Sequence, residues 1–145
     1  MIAVLSNASF AAYYDSNSGD SWGDAYVLNT SSDLIAMRDR VNDGTEKGKY
    51  YKLASDIDLS SETGWIGIGK DSKVSAYSVL LGTSGIYFDG HFDGQKHTIT
   101  MNINRPGATD VGLFALISGD AIVRNLNLSG TMTGNWVGGM TWGMC

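Results

Sequence analysis

The stretch that decides the fold is MNINRPGATDVGLFALISGDAIVRNLNLSGTMTGNWVGGM, residues 101–140. Within it Asp110-Val111-Gly112-Leu113-Phe114 recurs as Trp136-Val137-Gly138-Gly139-Met140, and Met101-Asn102-Ile103 recurs as Leu126-Asn127-Leu128. The two offsets are 26 and 25 residues. An apolar-Asn-apolar triplet followed by a Val-Gly strand therefore occurs twice, and a period in the twenties marks a solenoid unit. So short a unit cannot bury a core alone; stacking such units in parallel would bury one inner column. The residues expected to line it are Ile99, Ile103, Val111, Leu113, Leu126, Leu128 and Val137, and Asn102 and Asn127 fall at equivalent positions as an external ladder or a corner.

Composition agrees with short strands and tight turns. The 145 residues hold 19 Gly and 1 Pro, with 13 Asp against 2 Glu. Asp favours turns and caps where Glu favours helix interiors. The net charge is -5, which disfavours nucleic acid and anionic lipid as partners. No apolar run approaches the roughly 18 residues of a membrane span. A lone cysteine, Cys145, excludes an intrachain disulfide and a cysteine metal cluster.

Upstream of the repeat the signals change twice. Residues 1–24 read as an N-terminal segment and linker, with ASFAA a faint echo of a leader's cleavage site. Residues 25–145 read as one domain, incomplete at its C-terminus. The single good helix signal follows Thr30: Asp33 three residues on makes an approximate capping box, and Leu34, Met37 and Val41 repeat at helical spacing. These place a capping helix at about 31–42. From residue 50 the period becomes two, through YYKLASDIDLS and WIGIG to YFDGHFDGQKHTITMNIN, with Asp93-Gly94 as a turn. Residues 70–86 break the pattern and read as an extra hairpin or a surface loop.

Taken in order, Asp24-Ala25-Tyr26, YYKLASDIDL (50–59), FDGQKHTI (92–99), VGLF (111–114) and NLNL (125–128) resemble bacterial surface and secreted proteins with GLUG-type repeats. The resemblance covers roughly residues 20–140 and implies an all-β, pectin-lyase-like fold: a right-handed parallel β-helix. It departs from the pattern at Gln95-Lys96-His97, where the family has Gly-His. It implies an extracellular or cell-surface location and a non-enzymatic adhesive or ligand-binding module.

Chemistry-bearing residues are few. Asp89, His91 and Asp93 alternate along one strand, so they would share a face and form the candidate acid/base group or oxygen ligands for Ca²⁺. The competing and favoured reading makes both Asp-Gly pairs turns, with no cofactor. Asp56 and Asp58 are a second carboxylate pair, best read as a solvated strand face. A carbohydrate-active lyase or hydrolase using such carboxylates is the runner-up function. Trp22, Trp65, Trp136 and Trp142 are candidates for stacking on sugars, with core or capping roles more common. The Thr-x-Thr pairs at 98–100 and 131–133 are too few for an ice-binding face. No charge follows Arg124, so the glycine-rich apolar end, with Trp136, Met140 and Trp142, is the candidate surface for homo-association, up to a self-assembling fibre.

Overall fold

The computed structural model describes residues 17–70, 85–109, 111–135, 137–138 and 141–144, with backbone alone for the last four. Among them a 3-10 turn (Trp22–Asp24) precedes β1 (Tyr26–Leu28), α1 (Ser31–Asn42), β2 (Tyr50–Leu53) and β3 (Ile57–Leu59). Then follow β4 (His91–Asp93), β5 (Thr98–Asn104), β6 (Phe114–Ile117), β7 (Ile122–Arg124), β8 (Asn127–Thr133) and β9 (Thr141–Met144). The helix spans the residues expected of it. Its capping box is complete: the Asp33 amide donates to Thr30 Oγ1, and the Thr30 amide donates back to Asp33 Oδ2. Leu34, Met37 and Val41 are its buried face.

The strands form three sheets, ordered β1-β2-β4-β7, β3-β5-β8 and β6-β9, and every strand pair in them is parallel. Side-chain alternation sends one residue in two inward. Tyr26, Tyr51, Phe92 and Val123 form one inward cross-strand row; Ile57, Ile99 and Leu128 form another. The rows are bound by aromatic contacts: Tyr26 to Tyr51 at 5.7 Å between ring centroids, Phe88 to Phe114 at 4.9 Å and Phe92 to Phe114 at 5.7 Å. Trp65 is buried among them and donates its indole N–H to the Leu113 carbonyl at 3.1 Å.

This arrangement corrects the expected right-handed parallel β-helix. The fold is mostly β, built as separate parallel sheets of four, three and two strands with one helix, and no uniform solenoid repeat runs through it. The period near 25 read from the sequence predicts rungs at that spacing throughout. The observed partners Tyr26–Tyr51, Tyr51–Phe92 and Phe92–Val123 are 25, 41 and 31 residues apart. Val111 and Val137 do form a parallel bridge. The triplet equivalence fails: Asn127 pairs with Thr98, and Asn102 with Thr131, a shift of four residues. Asn102 and Asn127 therefore form no ladder. Apolar-x-apolar triplets occur in any half-buried strand, so two of them do not fix a register.

Of the expected inward residues, Ile99, Ile103, Val111 and Leu113 are buried, Leu126 and Leu128 are partly buried, and Val137 is 44% exposed. The core thins toward β7 and β8, the outermost strands of their sheets. Residues 17–24, read from sequence as linker, pack on β2: the Tyr50 amide donates to the Gly19 carbonyl at 2.9 Å. The irregular stretch at 70–86 is closed by an antiparallel bridge between Lys70 and Ile86, and its interior lies outside the described residues.

Candidate functional site

Alternation in the four-stranded sheet that buries Tyr51, Phe92 and Val123 turns their neighbours outward. Tyr50, His91 and Ile122 align across β2, β4 and β7, as do Lys52, Asp93 and Arg124. The 3-10 turn lays Trp22 over this face, 5.1 Å from the Tyr50 ring and 6.0 Å from that of His91. His91 meets Tyr50 edge-to-face at 4.2 Å. The Arg124 guanidinium sits 4.1 Å above the Trp22 ring, an arrangement that couples the cation to the ring quadrupole. Trp22, Tyr50 and His91 are partly exposed, and Ile122 is 43% exposed.

Asp93 anchors this platform from beneath. It is 2% exposed, and Arg124 Nε donates to its Oδ2 at 2.7 Å. Its Oδ1 accepts from the Gln95 amide at 2.9 Å and from Asn125 Nδ2 at 3.1 Å. Burial alone would raise its pKa; these hydrogen bonds and the Arg124 charge outweigh it and hold the carboxyl below its usual value. The chain turns here through positive φ at Gln95, Lys96 and Asn125, which brings the donors round the carboxylate.

Asp89 lies elsewhere. Its Oδ1 accepts from the Gly48 amide at 2.8 Å, and it lines a cleft of about 480 Å³ shared with Glu46, Lys47, Tyr87 and Ser118. Glu46 is buried at the foot of the helix. Tyr51 donates its hydroxyl to Glu46 Oε2 at 2.5 Å, and Oε1 lies 3.4 Å from Arg40 Nε. Burial pushes the Glu46 carboxyl up, only partly offset by Tyr51 and Arg40.

The sequence candidates are thus dispersed into three environments: Asp89 at the cleft, His91 within the aromatic platform, and Asp93, itself buried, paired with the half-exposed Arg124. Their side-chain partners differ, and among the described residues no three His, Cys, Asp or Glu side chains are grouped so as to hold a metal ion. The favoured turn reading fits Asp93, whose Oδ1 caps the Gln95 amide. Asp58 likewise caps Ser60, while Asp56 accepts from the Thr98 amide at 2.8 Å and faces His97 Nδ1 at 3.3 Å. Of the self-association candidates, Trp136 and Met140 lie outside the described residues, and Trp142 is described only as backbone of β9. Sequence reading missed Glu46, Ser118 and the pairing of Trp22 with Arg124.

Comparison with known proteins finds two partial relatives. Over 111 residues, 72% of this chain, it is 31% identical to a protein of Evansella cellulosilytica named as a Gly-rich membrane protein. Over 119 residues, 78% of this chain, it is 32% identical to halomucin of Haloquadratum walsbyi. The matches cover 11% and 1% of those proteins, so the chain spans a small part of either. No family model matches, and no solved structure does. Among the described residues no helix is long and apolar enough to cross a membrane.

Proposed function

We propose that this chain is a surface-associated, non-catalytic binding module that holds saccharide on the Trp22 platform. The carrying observation is the outward cluster of Trp22, Tyr50 and His91 with the Arg124 guanidinium stacked on the indole. Aromatic rings that are partly exposed and fixed by their neighbours present apolar faces to sugar C–H groups, and a guanidinium supplies directed donors. The names of the two relatives, a membrane protein and halomucin, support the surface location. The commitment of Asp93 to Arg124 supports binding over turnover, since hydrolysis by a carboxylate pair needs both groups available.

The test is retention on immobilised polysaccharides, with product analysis of the same incubations. The module should be retained without releasing oligosaccharide, and Trp22→Ala should abolish retention while the melting temperature shows the fold intact. Release of oligosaccharide that disappears in Asp89→Ala or Asp93→Ala would instead establish the enzyme.

One observation favours homo-association as a second reading. β8 is a seven-residue outer strand whose side chains are uncharged and largely exposed. Outer strands present unpaired backbone groups to other chains. Growth with concentration on a sizing column, blocked by Thr131→Lys on the exposed face of β8, would support it.

A further inference from the structure

We infer that β8 is an edge on which two copies of this chain pair antiparallel, about a two-fold axis at Gly130, and close into a dimer. The inference rests on the homo-association reading above and fixes its geometry.

The direction of the backbone groups comes first. Asn127 donates its amide to the His97 carbonyl at 3.1 Å, and the Thr133 carbonyl accepts from the Arg105 amide at 3.0 Å. Between them the Thr131 amide donates to Asn102 Oδ1 at 3.3 Å. The odd-numbered residues of β8 therefore turn their backbone groups towards β5. Amide direction alternates along a strand, so Leu128, Gly130 and Met132 present theirs on the opposite side. β8 is the last strand of its sheet, and among the described residues no strand pairs with that side. Open backbone groups on an outer strand are a template for another strand.

The composition of the edge selects the occupant. β8 reads Asn-Leu-Ser-Gly-Thr-Met-Thr, the same order of polar and apolar positions from either end. Antiparallel pairing centred on Gly130 sets Leu128 opposite Met132 of the partner copy and Ser129 opposite its Thr131. The residues whose backbone groups point outward then meet one another, which is the condition for hydrogen-bonded pairs. Leu128 and Met132, only partly buried in one copy, cover each other across the axis. Asn127, Ser129, Thr131 and Thr133 stay on the exposed face. No charged side chain lies on β8 or anywhere after Arg124, so two chains of net charge -5 meet here without like charges facing across the seam. No other outer strand matches this edge. β1, β3 and β7 are three residues long, β3 carries the exposed Asp58 and β7 carries Arg124. A head-to-tail contact would leave most of β8 unmatched, whereas a self-complementary patch closes on itself.

The experiment combines sedimentation with disulfide cross-linking on the full chain, with Cys145→Ser in every variant. The parent should sediment as a monomer when dilute and level off at twice the chain mass when concentrated. In the inferred register Ser129 and Thr131 of opposite copies form a non-hydrogen-bonded pair with Cα atoms about 4.5 Å apart, within disulfide reach. A mixture of Ser129→Cys and Thr131→Cys chains should therefore cross-link at least about tenfold faster than either variant alone. Asn127→Cys mixed with Thr133→Cys reads the same register where the first pair disturbs the fold. Ser129→Cys cross-linking with itself as fast as in the mixture would report a parallel or shifted pairing and overturn the inference. Association without cross-linking in either mixture, or growth past two copies, overturns the two-fold dimer and leaves homo-association standing. A monomer at every concentration overturns both, and retention of saccharide by the Trp22 platform depends on neither.

Discussion

Two buried carboxyls, Asp93 and Glu46, make opposite demands on pH. Asp93 is held below its ordinary value, so the stability it contributes is complete above its unfolded pKa of about 3.9 and is lost as pH falls through the lower folded value. Glu46 is pushed up by burial, so its contribution is complete below its unfolded pKa of about 4.3 and is lost as pH rises through the higher folded value. Urea unfolding across a pH series should therefore show Asp93→Asn flattening the acid limb and costing roughly 2 kcal/mol at neutral pH. Glu46→Gln should flatten the decline above about pH 4.3. Gly130 is a second point of constraint. Its φ is +110°, and a Cβ there would run into the Met101 carbonyl oxygen of the neighbouring strand. Gly130→Ala should cost about 3 kcal/mol or more, read as a lowered urea midpoint. The sequence announces Asp93 as part of a turn but not its ion pair, because Arg124 is 31 residues away and only the parallel stacking of β4 on β7 brings it near. Ser118 and Glu46 were equally silent: a lone serine and a lone glutamate carry no pattern until three distant segments meet.

At the scale of elements, the helix was the most legible part. Thr30 and Asp33 fix its start locally, and Leu34, Met37 and Val41 declare its buried face at a spacing that needs no tertiary knowledge. Thr30→Ala should cost about 1 kcal/mol and Leu34→Ala about 2–5 kcal/mol, the latter because Leu34 is fully buried. Both losses are readable as shifts in the urea midpoint. Strands β2, β3 and β5 were legible for the same reason, since alternation is a local property. Register was not. Ile99 lies beside Leu128, and the apparent repeat placed Met101 beside Leu126; both alignments put apolar residues together. A slip by an even number of residues keeps every side chain on its own face, so hydrophobic pattern alone cannot choose between them.

Across the whole molecule, three parallel sheets converge on one core of aromatic and aliphatic side chains, and the exposed faces carry the chemistry. Among the described residues the expected period near 25 survives only locally, at Tyr26–Tyr51, Val111–Val137 and Phe114–Thr141, and the other crossovers are longer. Insertion between strands changes the sequence period without disturbing the hydrogen bonds that pair them, which is why a repeat read from the last third did not extend to the rest. The platform and the cleft follow from these longer crossovers. The segment after α1 brings Glu46, and the approach to β4 brings Tyr87 and Asp89. The most direct test of this account is a set of interstrand backbone proton contacts between β5 and β8, measured by NMR on the full chain. The structure predicts a parallel pattern that links Ile99 with Leu128 and Ile103 with Met132. Contacts joining Met101 with Leu126 and Ile103 with Leu128, or an antiparallel pattern, would contradict it.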